Sequence, residues 1–348
     1  MTHALGTHGD ASRIAEFAQS SLREAIAEIA PLAAALGLRR FYRLRTAAGR
    51  TLIARVEAEE DPAGRPPGIP AEPPLEPIRA RLERAGLPVP KCYGSAPGIE
   101  LLEDFGDESL YARSLHADAS ALQALVARAL DLVPRIQRVA DDGSFVAAFA
   151  RQLDAPYFAY KADLFARYSL ADALGRAPRA SEDAALREAF AWIGSECGRA
   201  PQRLAHRDFQ SQNVFVRAND ALGLIDLQGA FLAPPEYDLV CLLRDSYLEL
   251  PEAFVDAELT RVRPALPDAP DAASFRARFE LLTLTRKGKD HARFLYAAQE
   301  RSDTRFLAFA PRTARMLARA ASRAAAQDPR IARVAEMLAR WREAPCAE

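Results

Sequence analysis

The chain has 348 residues, which exceeds a small domain and fits either one large domain or two moderate domains with a cleft between them. Apolar residues make up 49% of the sequence, charged residues make up 27%, and the formal net charge is -1. These values exclude a disordered chain and a general nucleic-acid binder, and they favour a protein with a small, specific ligand.

The first part of the chain is predicted to form a helix followed by short strands. Apolar side chains recur at helical spacing between residues 11 and 36, with Asp10 as a possible N-cap and a break expected at Pro31. Residues 39–58 read as two strands around a Gly49 turn, a hairpin that we place at a sheet edge. Seven prolines between residues 61 and 77 exclude regular structure before a helix at about 75–86. Residues 85–94 and 98–106 then supply two more strands.

Beyond Ser109 the pattern turns helical and is interrupted by one further strand pair, at residues 214–227. A small β-rich part, residues 1–105, therefore precedes a larger helical part, residues 106–348, which predicts an α+β fold. The four cysteines are far apart, so neither a zinc site nor a disulfide framework is expected. No secretory leader and no membrane-spanning apolar stretch is visible, and we expect a cytoplasmic protein.

Residues 205–226 carry side chains suited to phosphoryl transfer. Asp208 and Asn213 lie five residues apart in H-R-D-x-x-x-x-N, and a strand, a polar turn and a second strand then deliver Asp226. Transfer from ATP needs a carboxylate near the attacking hydroxyl and oxygen ligands for Mg²⁺. We predict that Asp208 orients the acceptor hydroxyl and takes its proton, while Asn213 and Asp226 bind Mg²⁺. The alternative is a helix-capping aspartate and a turn asparagine, which the following hairpin disfavours.

Several motifs resemble the aminoglycoside phosphotransferase family, which has a two-lobed protein-kinase-like fold. They are HRDFQSQN, LIDLQGA and PPEYDLVCLLRDSY. Within that family, RRFYRLRTAAG, GLPVPKCYG, LLEDFGD and FLAFAPRT resemble, in the expected order, the branch that phosphorylates the anomeric hydroxyl of N-acetylmuramate and N-acetylglucosamine. The resemblance implies a nucleotide-binding lobe (1–105), a catalytic lobe (106–348), ATP and Mg²⁺ between them, and a small-molecule acceptor.

The letters D-F-G at residues 104–106 match the motif that protein kinases use to bind magnesium, but they stand before the predicted catalytic loop. In kinases the metal-binding aspartate follows that loop, so Asp104 is in the wrong place and Asp226 has the metal role. The resemblance implies instead that residues 101–105 form the hinge strand, where Leu102, Glu103 and Phe105 contact adenine. An ordinary buried strand that ends in an acidic turn fits the same letters.

The nucleotide site departs from the family pattern at two points. The third strand usually carries a phosphate-binding lysine, and this chain has Arg55 there, which is either a phosphate ligand or a solvated strand residue. Its helix partner would be Glu76 or Glu72. No glycine-rich phosphate loop is present, and only Gly37 stands where a phosphate-covering turn would lie.

The resemblance also assigns supporting roles around the loop. Asp238 is expected to anchor the loop through its backbone rather than to touch the acceptor. His206 is expected to be a structural residue of the loop, since no neighbouring His or Cys would complete a metal site. Arg244 and Asp245 could face the acceptor or pair with each other.

The C-terminal part is basic, with 14 basic and 7 acidic residues between 286 and 348. Four of the arginines, at 312, 315, 319 and 323, fall on one face of a predicted helix, which is either a solvated face or a site for an anionic acceptor such as N-acetylmuramate. The rival functions are a kinase for aminoglycosides, choline-like molecules or other amino alcohols, with an acidic and aromatic acceptor cleft, and a pseudokinase binding module. The sequence does not specify the acceptor or the oligomeric state.

Overall fold

The computed structural model describes residues 3–32, 39–57 and 68–343. Its N-terminal part contains one antiparallel five-stranded sheet in the order β1-β2-β3-β5-β4. The strands are Ile26–Pro31 (β1), Arg40–Thr46 (β2), Thr51–Val56 (β3), Cys92–Ala96 (β4) and Ile99–Glu103 (β5). Two helices accompany them, His3–Leu22 (α1) and Leu75–Arg84 (α2).

The first helix ends earlier than its sequence pattern predicts. It stops at Leu22, Arg23 takes a left-handed φ of 55°, and residues 26–31 form β1, so the prediction of a helix up to the break at Pro31 is wrong. The rest of that predicted segment, residues 33–36, lies outside the described residues. Pairing of β1 with β2 outweighs the local helical spacing of its isoleucines. Asp10 is also not an N-cap, since it lies inside α1 and accepts hydrogen bonds from Arg40 (3.0 Å) and Tyr42 (2.7 Å).

The predicted hairpin over residues 39–58 is confirmed, but its predicted place at a sheet edge is wrong. β2 pairs with β3 around a turn in which Gly49 has φ 85°, a conformation that glycine adopts without steric cost. β1 covers the outer side of β2 and β5 covers the outer side of β3, so the hairpin lies inside the sheet. The strand that carries Arg55, β3, is therefore hydrogen-bonded to a neighbouring strand on each side.

The proline-rich segment agrees with its prediction where it is described. Residues 68–74 have no helix or strand, and residues 58–67 lie outside the described part. The helix predicted at about 75–86 is confirmed as α2. It buries Leu75, Ile78 and Leu82 in the same hydrophobic core as the C-terminal helices. The buried core is thus continuous across residue 105. The predicted boundary between two lobes at that residue stays a prediction.

The C-terminal part is mainly helical, which confirms the α+β class. Its helices are Leu110–Ser114 (α3), Ala119–Leu130 (α4), Leu132–Gln137 (α5), Ala155–Leu164 (α6), Leu170–Leu174 (α7), Ala180–Gly198 (α8), Tyr237–Leu243 (α9), Glu252–Val262 (α10), Ala272–Arg301 (α11), Ala310–Ala324 (α12), Pro329–Met337 (α13) and Arg340–Glu343 (α14). Two short strand pairs interrupt them, where the sequence predicted one. They are Arg203–Ala205 (β6) with Phe231–Ala233 (β9), and Val214–Val216 (β7) with Leu222–Leu224 (β8). Within the described residues, no helix is long and apolar enough to cross a bilayer.

Candidate active site

The β7–β8 hairpin brings two of the predicted site residues to one end. Val214 pairs with Leu224, and the backbone N–H of Ile225 donates to the carbonyl of Asn213 at 3.1 Å. Asn213 and Asp226 therefore lie close together at one end of the hairpin. Asp226 has φ 63° and ψ 45°, a left-handed conformation that aspartate tolerates better than most residues and that turns its side chain out of the strand direction.

The side chains of Asn213 and Asp226 face the same cavity. Asn213 donates from Nδ2 to the backbone carbonyl of Asp208 at 2.8 Å. This hydrogen bond uses the amide nitrogen of Asn213 and not its amide oxygen. Oδ1 of Asp226 accepts a hydrogen bond from Nε2 of Gln228 at 2.6 Å. One carboxylate and one amide oxygen form a donor set that suits a hard cation such as Mg²⁺.

Two buried carboxylates hold the loop between β6 and β7. Asp238, on α9, accepts hydrogen bonds from the backbone N–H groups of His206 (2.7 Å) and Arg207 (3.1 Å). Burial raises the pKa of Asp238 to about 6, although those two N–H groups favour its charged form. Asp245 accepts from the N–H groups of Ser211 (2.6 Å) and Tyr247 (2.7 Å). The loop is thus fastened at both ends from α9 and the turn that follows it.

Arg244 does not pair with Asp245, which removes that alternative. Its guanidinium bonds both carboxylate oxygens of Glu252, at 2.7 and 3.0 Å. His206 is 2% exposed, and its ring lies edge-on to Phe209 at 5.8 Å between centroids. Neither ring nitrogen of His206 has a hydrogen-bond partner among the described residues. This environment is that of a packed loop residue.

Asp208 lies at the centre of a cationic group. Its Oδ1 accepts a hydrogen bond from Arg286 on α11 at 2.9 Å, and Arg207 lies 3.6 Å from its Oδ2. Burial would raise the pKa of Asp208, but Lys289, Arg207 and Arg286 outweigh burial and hold it well below its ordinary value. Asp208 is therefore ionised at any pH at which the protein would be assayed.

A chain of charges that sequence reasoning only partly identified joins the sheet to this loop. Glu72 binds Arg39 at one end and Arg207 at the other, the latter at 2.9 Å. Burial would raise the pKa of Glu72, and the two arginines lower it to about 2. Arg39 also lies 3.8 Å from Oδ1 of Asp226, so it brings a cation to the predicted metal residue. Its place just after Gly37, which lies outside the described residues, was the sequence signal for this role.

The cavity has a volume of about 390 Å³ and lies between the sheet and the β7–β8 hairpin. Its apolar walls come from both parts of the chain, and they include Leu32, Phe41, Ile53, Leu102, Phe105, Phe215 and Ile225. All three predicted hinge residues line it. The carboxylate of Glu103 is bound by Arg217 and by the backbone N–H of Lys91 (3.2 Å). The guanidinium of Arg217 stacks 4.4 Å from the ring centroid of Phe105.

The D-F-G letters have a structural use other than metal binding. Asp104 forms an ion pair with Arg43 at 2.7 Å and accepts a hydrogen bond from the backbone N–H of Gly106 at 2.9 Å. Arg43 also bonds Asp107 at 2.8 Å. Asp104 thus fastens the turn after β5 to β2, which places Phe105 against the cavity.

Gly223 lets the Phe105 ring reach this position. A Cβ at Gly223 would lie 2.5 Å from Cε2 of Phe105, which is too close for two carbon atoms. We expect Gly223→Ala to push the ring toward the cavity and raise the KM for ATP by about fivefold, since overpacking of this kind costs roughly 1 kcal/mol. Steady-state kinetics at saturating acceptor would measure it. Gly198→Ala is the matched control, because a Cβ there meets open space. Equal ATP KM values in all three proteins would contradict the assignment of Phe105 to the nucleotide site.

Arg55 lies where the resemblance placed it, but with other partners. It lines the cavity and is 2% exposed, so the alternative of a solvated strand residue is wrong. Its guanidinium binds Glu100 on the neighbouring strand and Glu57 (3.1 Å). Glu76 instead binds Arg79 on its own helix at 2.6 Å, so the predicted pairing of Arg55 with Glu76 or Glu72 is wrong. Whether Arg55 and Glu76 contribute to nucleotide binding stays a prediction.

Three of the four arginines on the predicted α12 face are bound within the protein. Arg319 and Arg323 both bind Glu252, the latter at 2.8 Å. Arg312 donates to the backbone carbonyl of Ser246. Arg315 has no hydrogen bond or ion pair with any described residue and is half-buried. Three of the four arginines are therefore engaged in packing α12 onto α10 and the turn after α9.

Comparisons with known proteins agree with this architecture. The sequence profile of the phosphotransferase enzyme family matches residues 28–278. The N-acetylmuramate/N-acetylglucosamine kinase of Pseudomonas aeruginosa is 26% identical over 273 residues, which cover 76% of this chain and 77% of that protein. The protein of the same name from Pseudomonas putida is 26% identical over 165 residues, which cover 47% and 45% of the two chains.

Solved structures share the fold. The choline kinase LicA from Streptococcus pneumoniae superposes with a TM-score of 0.57 at 14% identity, covering 89% of this chain and 99% of that chain. The ADP-bound aminoglycoside phosphotransferase APH(2'')-Ib gives 0.53 at 16% identity, covering 88% and 96%. The predicted kinase-like fold is thereby confirmed. The chain belongs to the phosphotransferase enzyme family and is a small-molecule kinase.

Proposed function

We propose that the protein transfers the γ-phosphoryl group of ATP to the anomeric hydroxyl of an amino sugar of the N-acetylmuramate or N-acetylglucosamine type. The observation that carries the proposal is the placement of Asn213 and Asp226 in one cavity, with Asp208 tied to Asn213 through its own backbone carbonyl. The cavity, two oxygen donors that suit a metal ion and the loop that carries Asp208 are thus close together, which supports phosphoryl transfer. Phosphoryl transfer depends mainly on such positioning.

The cavity supplies the nucleotide site of this proposal. Its apolar walls suit an adenine ring, and the backbone N–H of Phe105 has no hydrogen-bond partner among the described residues, so it is free to bind the adenine edge. Asn213 and Asp226 would hold Mg²⁺, which would neutralise charge on the ATP phosphates. Arg39, beside Asp226, and Arg55 both line the cavity, and in this proposal they would bind the ATP phosphates.

Asp208 is the base of the proposed reaction. Arg286 fixes one of its carboxylate oxygens, which leaves the other to accept a hydrogen bond from the acceptor hydroxyl. As the hydroxyl oxygen attacks the γ-phosphorus, its proton would pass to Asp208. The bond between the γ-phosphorus and the β–γ bridging oxygen would break, and ADP would leave. Because the surrounding cations keep Asp208 ionised, its contribution is orientation and proton acceptance at the moment of transfer.

The charges around Asp208 favour a neutral or anionic acceptor over a polycation. Arg207, Arg286 and Lys289 all act on it, and the acidic side chains nearby are already bound, with Asp290 held by Arg286 and by Lys287 at 3.1 Å. A polycationic aminoglycoside would meet repulsion there. The names of the curated relatives, at 26% identity, point to the same class of acceptor. The aromatic rings near the loop would also suit a choline-like acceptor, which therefore belongs in the test.

We expect N-acetylmuramate and N-acetylglucosamine to support ATP consumption, and their methyl glycosides to support none. A methyl glycoside lacks the anomeric hydroxyl and keeps every other group of the sugar, so it is the matched control acceptor. Coupled detection of ADP, with kanamycin, choline and ethanolamine in the same panel, would measure the preference. Phosphorylation of a methyl glycoside, or a preference for kanamycin or choline, would overturn the anomeric assignment and leave the small-molecule kinase.

A further inference from the structure

Two basic side chains on α11 form no direct ion pair, although their neighbours on the helix do. Lys289 and Arg293 are half-buried, and neither forms a hydrogen bond or an ion pair with any residue in the described ranges. Arg286 and Lys287, one turn earlier, bind Asp208 and Asp290. Like charges four residues apart on a helix repel each other. An anion between Lys289 and Arg293 would relieve that repulsion.

We propose that Lys289 and Arg293 form the subsite that binds an anionic group, a carboxylate, of the acceptor. The inference rests on the proposed function. It assigns the preference for an anionic sugar to Lys289 and Arg293 and not to the arginines of α12. The ligand class is a sugar acid such as N-acetylmuramate, whose lactyl group carries a carboxylate. Lys289 and Arg293 would select this acceptor without taking part in the chemistry.

The helix geometry puts these cations beside the base. Lys289 and Arg293 follow Arg286 by three and seven residues, so all three share one stripe of α11, about 4.5 and 10.5 Å along the axis from Arg286. Arg286 touches Asp208 at 2.9 Å, which shows that this stripe faces the catalytic loop. Of the surrounding cations, Lys289 has the largest effect in lowering the pKa of Asp208.

The same cations are outside the nucleotide cavity. The residues that line the cavity come from the sheet, α2, the turn after β5 and the β7–β8 hairpin, and none comes from α11. Lys289 and Arg293 therefore lie outside the nucleotide cavity, on the helix that contacts Asp208 through Arg286. In an in-line transfer the acceptor lies beside the base.

Aromatic rings complete the proposed subsite. Tyr247 packs against Phe309 at 4.8 Å and Tyr111 at 5.7 Å between centroids, and it lies within electrostatic reach of Arg293. Tyr111 donates its backbone N–H to the carbonyl of Ser211 in the catalytic loop at 3.1 Å. The ring cluster thus adjoins the loop and lies near Arg293. A carboxylate at Lys289 and Arg293 would leave the apolar face of a sugar ring against these side chains.

The test uses two acceptors that differ only in charge, N-acetylmuramate and its lactyl methyl ester. We expect Lys289→Met to raise the KM for N-acetylmuramate by about tenfold, the size of one charge-assisted hydrogen bond, and to leave the KM for the ester within about twofold. Arg293→Gln should act in the same direction, and Lys289→Arg should keep most of the preference. Arg315→Gln, on α12, removes one unpaired positive charge elsewhere and should leave the ratio of the two KM values unchanged.

The outcomes separate the inference from the function beneath it. A wild-type protein that phosphorylates neither acceptor refutes the proposed function and the subsite together. A wild-type protein that phosphorylates both, combined with Lys289→Met and Arg293→Gln variants whose KM ratio is unaltered, refutes the subsite alone. An equal fall in kcat for the two acceptors, with the ratio of their KM values unaltered, would limit Lys289 to the charge balance around Asp208 and would also overturn the proposal. Thermal melting of each variant identifies loss of folding, and Arg293→Gln serves if Lys289→Met does not fold.

Discussion

Replacing Asp208 by asparagine should lower turnover by about 10²-fold or more and leave ATP binding nearly unchanged. Asparagine has almost the shape of aspartate and can still accept the hydrogen bond from Arg286, so the loop should keep its position. It cannot take the proton of the acceptor hydroxyl. A 10²-fold loss corresponds to about 2.7 kcal/mol in the activation free energy. Steady-state kinetics and ATP titration of the purified variant would measure both quantities.

The variant has a structural cost that must be measured separately. Asp208 balances Arg207, Arg286 and Lys289, so its neutralisation leaves cations uncompensated and should lower the melting temperature. Asp303→Asn removes the same charge from a half-buried side chain far along the sequence from the loop. Its hydrogen bonds within the described structure go to Arg305, and the variant should retain full activity. Equal turnover in the Asp208→Asn variant and the wild-type protein would end the assignment of Asp208 as the base.

Replacing Asp226 by alanine should abolish Mg²⁺-dependent ATP turnover, whereas Asp104→Ala should not. Within the described structure, Asp226 is the only carboxylate at the Asn213 end of the β7–β8 hairpin that lines the cavity. Removal of a carboxylate from a two-donor set leaves a neutral amide, which holds Mg²⁺ weakly. Asp104 instead anchors the turn after β5 to Arg43, so its loss should lower stability or raise the ATP KM. Turnover as a function of Mg²⁺ concentration distinguishes the two effects.

A second substitution at Asp226 controls for backbone strain. Its φ of 63° is unfavourable for alanine, and the strain costs on the order of 1 kcal/mol. Asparagine tolerates this conformation and can still accept the hydrogen bond from Gln228, so Asp226→Asn removes mainly the charge. Both variants should lose Mg²⁺-dependent turnover. If Asp104 proved essential for metal dependence and Asp226 proved dispensable, the roles inferred for the two aspartates would be reversed.

The sequence determined the features whose causes are local. The spacing of Asp208 and Asn213 and the short strands that return Asp226 are set by a few consecutive residues, because a tight hairpin fixes which side chains meet at its end. The same is true of the β2–β3 hairpin and of α2, both of which were predicted. The first helix shows the limit, since residues 26–31 satisfy helical spacing but are drawn into the sheet by pairing with β2.

Only the tertiary structure decided which charges are free to act. Arg55 and Glu76 are bound to Glu100 and Arg79, respectively. Two arginines of α12 share Glu252, and Lys289 lies near Asp208 without a direct ion pair. A sequence states that a residue is charged, but its counter-ion can come from a segment tens or hundreds of residues away. Coulomb energies fall with distance and with exposure to water, so the chemistry of each charged group depends on contacts that exist only after the chain has folded.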